Sequence, residues 1–452
     1  MHLLDIPLEL FQQIARDVVE VAGITGAWKL RGVCRSFAAE ISHDIFFKRT
    51  AAEFTGWSQT RFLMPTMDRY LAALLRLPLD VDQLLLDKIQ SMVHWATTEV
   101  DGNTKSNKDD AAENVCTGLL NVVGGSNLVY PIIHESRDER KNLTRWTEQD
   151  LGIHDKLVAA LGVGSYELIK TLLPKLLEKP REVFWLAFDP FEIAIRKNDM
   201  TLFQITLRIV RKVAETDATR LASIQQIQVE LERTRLFNIP NAIDDATRTK
   251  RLGMLKALLD FSEKFCPRPS NCEYNSWIAL TASSEQSILD TLLNFNPKGG
   301  SMVTLQTLTT LCFAGSASMI QAVVTALGTN INKGSIITLP IFMAVRSGHL
   351  LAVQALLDAG ADIGVVTKSN IQKISKANVT PLDVAIYHHR LDVVDVLMAR
   401  GAGPLPPVHE WPMNRRLFNH LRGIVLQSTG TDLPTWNQFR SLSPEDQMSI
   451  AH

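Results

Sequence analysis

The sequence is poor in the residues that cross-link, insert or catalyse. Its 452 residues hold only five cysteines, Cys34, Cys116, Cys266, Cys272 and Cys312, and none forms a C-x-x-C pair. An odd, scattered set excludes a disulfide framework and fits reduced thiols in a cytosolic or nuclear protein. No apolar run approaches the roughly 18 residues needed to span a bilayer, so no membrane partner is expected. The opening MHLLDIPLELF lacks a basic stretch and carries Asp5 and Glu9, so no secretory leader is expected. The sequons at Asn142 and Asn378 should then go unused. Excess charge is missing as well: 47 Lys and Arg against 48 Asp and Glu give a net charge of -1. That balance provides no global attraction for nucleic acid, and none is expected as a partner.

Catalytic patterns are also lacking. His134-Glu135 has no second histidine at the H-E-x-x-H spacing. On a helix His388 and His389 would project about 100° apart and could not share one metal. LGVGSY at 161–166 has only two glycines of a phosphate loop. Cys266 and Cys272 flank PRPSN without the two further ligands of a zinc site. No nucleophile-elbow motif marks a Ser/His/Asp grouping. The chain is expected to be no enzyme and to use no cofactor or metal.

What the sequence does hold is apolar periodicity, with 46% apolar residues to build a core. TLPIFMAVRSGHLLAVQALLDAGADI at 338–363 is answered by VTPLDVAIYHHRLDVVDVLMARGAG from 379. Pro340 and Pro381, Ala344 and Ala385, and Gly360 and Gly401 are each 41 residues apart. Pro340 can open a helix, because its missing N–H would lack a partner in the first turn. Ile341, Ala344 and Val345 share one side of that helix. After SGH, Leu350, Val353, Leu356 and Leu357 form a second stripe, and Gly360 ends it. Neither helix is long enough to be stable alone, so each needs stacked neighbours.

The scheme extends backwards. LCFAGSASMIQAVVTAL at 311–327 lies 33 residues before AVRSGHLLAVQALLDAG. IALTASSEQSILDTLLNF (278–295), AIDDATRTKRLGMLKALLDF (242–261), PFEIAIRKNDMTLFQITL (190–207) and LVAALGVGSYELIKTLL (157–173) repeat it. Each has a short helix around an alanine, a polar turn, then a helix ending in paired apolar residues. An extended helix is expected around LASIQQIQVELERTRL (221–236).

These segments resemble the ankyrin repeat, whose pattern runs T-P-L-H-x-A, then G-H, a V-x-x-L-L stripe and G-A-D. TPLDVA at 380–385, Gly348-His349, Leu356-Leu357 and Gly360-Ala361-Asp362 carry the likeness. Leu339, Phe342, Asp383 and His389 depart from the pattern, which implies degenerate repeats. The resemblance implies six or seven units over 151–403. Such an array binds a partner, here an unidentified protein substrate, through its hairpin tips and inner helix face. Candidate contacts are Arg346, His349 and His388 in the groove. Lys368, Lys373 and Lys376 lie on the insert VVTKSNIQKISKAN, which reads either as a contact for an acidic partner or as a solvated loop.

LDIPLELFQQIARDVVEVAGITGAWKLRGVCRSF has a second likeness. Pro7 sits at a helix start, with Leu8, Phe11, Ile14, Val18 and Val21 behind it. Gly23 and Gly26 are expected to break that helix. Leu30, Val33, Cys34 and Phe37 follow as V-C-R-x-F. Residues 1–50 resemble the F-box, a three-helix module. The resemblance implies that Pro7, Leu8, Leu10, Ile14, Leu30, Val33, Cys34 and Phe37 dock on a Skp-type adaptor of a cullin ubiquitin ligase. The alternative is a plain helical cap over the first repeats.

Residues 51–150 read as irregular helices, broken at Pro78 and followed by a polar loop, DGNTKSNKDDAAEN. Residues 404–452 read as a cap helix, NRRLFNHLRGIVLQ, and a tail. The whole is expected to be all-α, an F-box-like module plus an ankyrin-repeat solenoid, with hairpin tips near 330–338 and 362–380. The function expected is that of a non-catalytic substrate receptor in the cytoplasm or nucleus. The alternative is an ankyrin scaffold or transcriptional co-regulator that meets no ligase.

Overall fold

A computed structural model describes residues 6–77, 83–100, 108–123, 151–178, 189–217, 237–281, 285–298, 300–313, 316–327, 331–332, 339–368, 378–411 and 414–450. The fold is all-α. The chain divides into two units, Met1–Asn238 and Ile239–His452.

In the first unit, α1 (Leu8–Lys29) opens directly after Pro7 and buries Phe11, Ala15 and Val19. Gly23 breaks it, with φ 69° and ψ 165°, a conformation open to a residue without Cβ. Gly26 stays helical, so only one of the two expected breaks is made. A 3-10 turn at Leu30–Gly32 leads into α2 (Arg35–Lys48), which buries Phe37, Ile41 and Ile45. Helix α1 packs on α2. Next come α3 (Trp57–Leu63), α4 (Met67–Arg76), α5 (Gln83–Val100) and α6 (Lys108–Val123). Helix α4 ends just ahead of Pro78. The expected polar loop is corrected in its second half: residues from Lys108 onward form α6, held by the buried stripe Val115, Cys116 and Leu119. Two helical pairs complete the unit: α7 (Ile153–Gly162) with α8 (Tyr166–Glu178), and α9 (Pro190–Lys197) with α10 (Met200–Thr216). The helix expected at 221–236 lies outside the described residues.

The second unit is built from five such pairs. They are α11 (Ile239–Arg248) with α12 (Leu252–Phe265), α13 (Asn271–Thr281) with α14 (Gln286–Leu293), and α15 (Leu305–Leu311) with α16 (Ala317–Leu327). Then come α17 (Pro340–Ser347) with α18 (Leu350–Asp358), and α19 (Pro381–Tyr387) with α20 (Leu391–Ala399). The first helices pack on one another in sequence, α11 to α19, and the second helices do the same, α12 to α20. Each pair packs chiefly on its neighbours, which is how short helices bury both sides. The insert between α18 and α19 begins and ends in two antiparallel two-residue strands, β1 (Thr367–Lys368) and β2 (Asn378–Val379), with Thr367 opposite Val379. A 3-10 turn at Val408–Glu410 and helices α21 (Arg415–Thr429), α22 (Trp436–Ser441) and α23 (Pro444–Ser449) follow.

One turn recurs within the pairs of both units. A residue with positive φ ends the first helix: Gly164 (70°), Asn198 (54°), Lys250 (60°), Gly348 (76°) and His389 (57°). The next N–H donates to the carbonyl of an alanine five residues back. The pairs are Ser165 to Ala160 (3.0 Å), Asp199 to Ala194 (2.8 Å), Arg251 to Ala246 (2.8 Å), His349 to Ala344 (3.2 Å) and Arg390 to Ala385 (2.9 Å). This is a Schellman-type closure, which satisfies carbonyls the helix end would leave bare. Five pairs make this closure, and in the last of them His389 does the work of the glycine it replaces. The other departures from the repeat pattern have local reasons too. Leu339 and Phe342 are buried instead of hydrogen-bonded. Asp383 accepts from the Thr380 backbone N–H and hydroxyl, both at 2.8 Å, and closes a capping box at the start of α19.

Candidate protein-interaction surfaces

Burial of one face of α1 leaves another face apolar and bare. At about 100° per residue, Phe11, Ala15 and Val19 point into the module. Leu10, Ile14 and Val21 lie together on a stripe about 120° away. Leu10 is 53% exposed and Val21 90%. Leu8 (59%), Leu30 (43%) and Val33 (63%) are exposed as well. Pro7 is exposed at the N-cap of α1.

Two residues expected with them have structural duties. The Cys34 Sγ accepts from the Phe37 N–H at 3.4 Å and caps α2. Phe37 is only 6% exposed, and its ring meets Phe11 edge-on with centroids 6.0 Å apart. The expectation that Phe37 lies on the docking surface is therefore corrected. It occupies the inward stripe of α2 with Ile41 and Ile45. Trp28 packs edge-on against Phe46 and Phe62, and the Arg31 guanidinium lies 3.1 Å from its ring centroid.

In the second unit, Arg346 is exposed on the last turn of α17, and its carbonyl accepts from Arg390 Nη2 at 3.1 Å. Arg390 thereby bridges two successive turns and lies across Gly348. His349 is the N-cap of α18: its Nδ1 accepts from the Ala352 N–H at 3.3 Å. That role removes one ring nitrogen from partner binding. His388 is half-buried, with its ring perpendicular to Tyr387. Burial first, then Arg346, Arg390 and His389, hold its pKa below the usual value, so its ring is neutral at pH 7. Lys373 and Lys376 lie outside the described residues. The backbone of Lys368 sits in β1, and its side chain is likewise outside them. The sequence showed no sign of the cleft of about 320 Å³ beside these turns, whose lining includes Gly348, Arg390, Asp392, Asn414, Arg416 and Leu417. Among the described residues no three His, Cys, Asp or Glu side chains are placed to hold a metal, and no helix is long and apolar enough to cross a membrane.

Comparison with known proteins gives a local match. Residues 339–368 match the ankyrin repeat family. Those residues contain α17, the Gly348 turn, α18 and β1. The chain is also similar to a solved structure, the ankyrin repeat domain of Bcl-3, a unique member of the IkappaB protein family. The identity is 18%, the match covers 52% of this chain and 98% of that one, and the TM-score is 0.35. No curated protein matches the chain. Ankyrin repeats are protein-interaction elements, and the segment from Leu339 gives this chain such a role.

Proposed function

We propose that this protein is a non-catalytic substrate receptor of a cullin-type ubiquitin ligase. The segment 6–48 holds a Skp-type adaptor, and the helical pairs select the protein to be modified. The observation that carries the reading is the exposure of Leu8, Leu10, Ile14, Leu30 and Val33 on the elements that bear the F-box-like motif. A module this small leaves apolar side chains in water unless a partner covers them. The receptor itself needs no active site, because tethering raises the effective concentration of substrate beside the ligase.

The test is capture of adaptor and cullin by the full chain. Leu8→Ala combined with Leu30→Ala removes apolar contact worth roughly 2 kcal/mol or more, which is more than a tenfold loss of affinity. Both side chains are exposed, so the fold should be unaffected. Wild type should capture the adaptor and the double variant should not. Capture by neither, or equally by both, would withdraw the ligase reading and leave a scaffold that binds through its helical pairs.

A further inference from the structure

Three arginines in the second unit have acidic partners. Arg248 pairs with Asp244, Arg400 with Asp358 and Arg422 with Asp432. Arg346, Arg390 and Arg416 are exposed and have no ion-pair partner among the described residues. Arg390 and Arg416 line the same cleft of about 320 Å³, between the α19–α20 turn and the start of α21. Arg346 adjoins it through its carbonyl, which accepts from Arg390 Nη2 at 3.1 Å. Among the described residues that line the cleft, Asp392 is the one acid. Two arginines therefore line the cleft with one carboxylate, and the nearby His388 is held neutral by burial first and then by Arg346, Arg390 and His389.

Nothing in the fold calls for these charges to gather here. Arg390 contributes one N–H to a backbone carbonyl and keeps the others. Arg416 is on the second residue of α21, where a cation is unfavourable to the helix dipole, and makes no polar side-chain contact among the described residues. Guanidinium groups of this kind suit the planar, two-point recognition of carboxylate or phosphate oxygens.

We propose that this cleft binds an acidic segment of a protein partner, through carboxylate or phosphate oxygens placed between Arg390 and Arg416. The proposal rests on the reading of the helical pairs as the partner-selecting part, and specifies the chemistry of what they select. The cleft takes a few side chains, so the recognised element is a short extended stretch and not a folded surface.

The test uses full-length protein and fluorescence anisotropy. The probes are a labelled glutamate-rich peptide, the same peptide with phosphoserine at alternate positions, a lysine-rich peptide and a single-stranded RNA. At least one acidic probe should bind, less tightly as salt rises, and the lysine-rich peptide should not. The stronger of the two acidic probes identifies the oxyanion as carboxylate or phosphate. Arg416→Gln alone, which removes no internal contact, should weaken binding roughly tenfold. Arg390→Gln should do the same, provided its melting temperature shows that the turn is kept. Failure of both acidic probes to bind, or indifference to Arg416→Gln, overturns the proposal. So does tighter binding of RNA with the same sensitivity to Arg416→Gln. Adaptor capture measured on the same Arg416→Gln protein should equal wild type. Loss of capture by the wild type speaks against the ligase reading and leaves the peptide result standing.

Discussion

His154 on α7 is buried, and burial pushes its pKa down to about 3 from 6.5. The unfolded imidazole takes up a proton near pH 6.5, and the folded one takes it up only near 3. Between those values the unfolded state binds more protons, so stability falls as pH drops below 6.5. The slope is at most about 1.4 kcal/mol per pH unit, so about 2 kcal/mol should be lost by pH 5. Urea unfolding at pH 7.5 and pH 5 measures it. The variant His154→Leu should lose less stability than wild type over that interval. A second residue-scale prediction concerns thiols. Burial pushes Cys116 and Cys312 up to about 12, whereas Cys272 is exposed. A thiol reagent on native protein at pH 8 should modify Cys272 first and reach Cys116 and Cys312 only in denaturant.

At the scale of the element, the recurring turn decides which substitutions matter. Gly348 has φ 76°, and an added Cβ would lie 2.7 Å from Arg390 Cδ and Nε. Gly348→Ala therefore meets strain and a clash, and should cost about 2 kcal/mol. Lys250 and His389 hold the same left-handed conformation with a side chain present, at φ 60° and 57°. Lys250→Gly or His389→Gly relieves roughly 1 kcal/mol of steric cost, offset in part by the entropy of an unfolded glycine. Melting temperatures should thus move in opposite directions for glycine added and glycine removed. The stacking faces give a larger effect. Leu356 is fully buried, while Leu357 beside it is half-buried. Leu356→Asp should cost several kcal/mol and Leu357→Asp markedly less, as read from thermal melts. Equal melts would overturn the assigned face of α18.

At the scale of the whole molecule, a stacked array must end in something other than an open apolar face. In the second unit Leu405, Val408, Trp411, Leu417, Phe418, Leu421 and Phe439 are buried after the last pair. The Trp411, Trp436 and Phe439 rings gather around Phe418 at centroid distances of 5.0 to 5.4 Å. His420 Nε2 lies 2.7 Å from Asp395 Oδ1 and ties α21 to α20. A chain ending at residue 403 should bind a hydrophobic dye and aggregate on light scattering, where the full chain stays dispersed. A truncated chain that stayed monomeric and melted like wild type would show that residues 404–452 are no cap.

The sequence by itself determined the helices of the repeats, their pairing and the register of the last two repeats. Those features are local: apolar spacing of three and four residues, prolines at helix starts, and an alanine and a glycine returning after 41 residues. It also placed the insert's ends close enough to pair as β1 and β2, since the flanking repeats fix where the insert leaves and returns. Only the tertiary structure decided which apolar residues stay bare. Leu10 and Phe11 are adjacent in sequence and equally apolar, yet α2 covers Phe11 and leaves Leu10 in water. Phe37 passed for a surface residue for the same reason: its motif names the side chain but not the Phe11 ring opposite it. Left-handed Lys250 and His389 were invisible because their side chains do not announce that conformation, as glycine and, more weakly, asparagine do. The arginine cleft was out of reach altogether, since Arg390 and Arg416 come from different elements and line one cleft only when those elements stack.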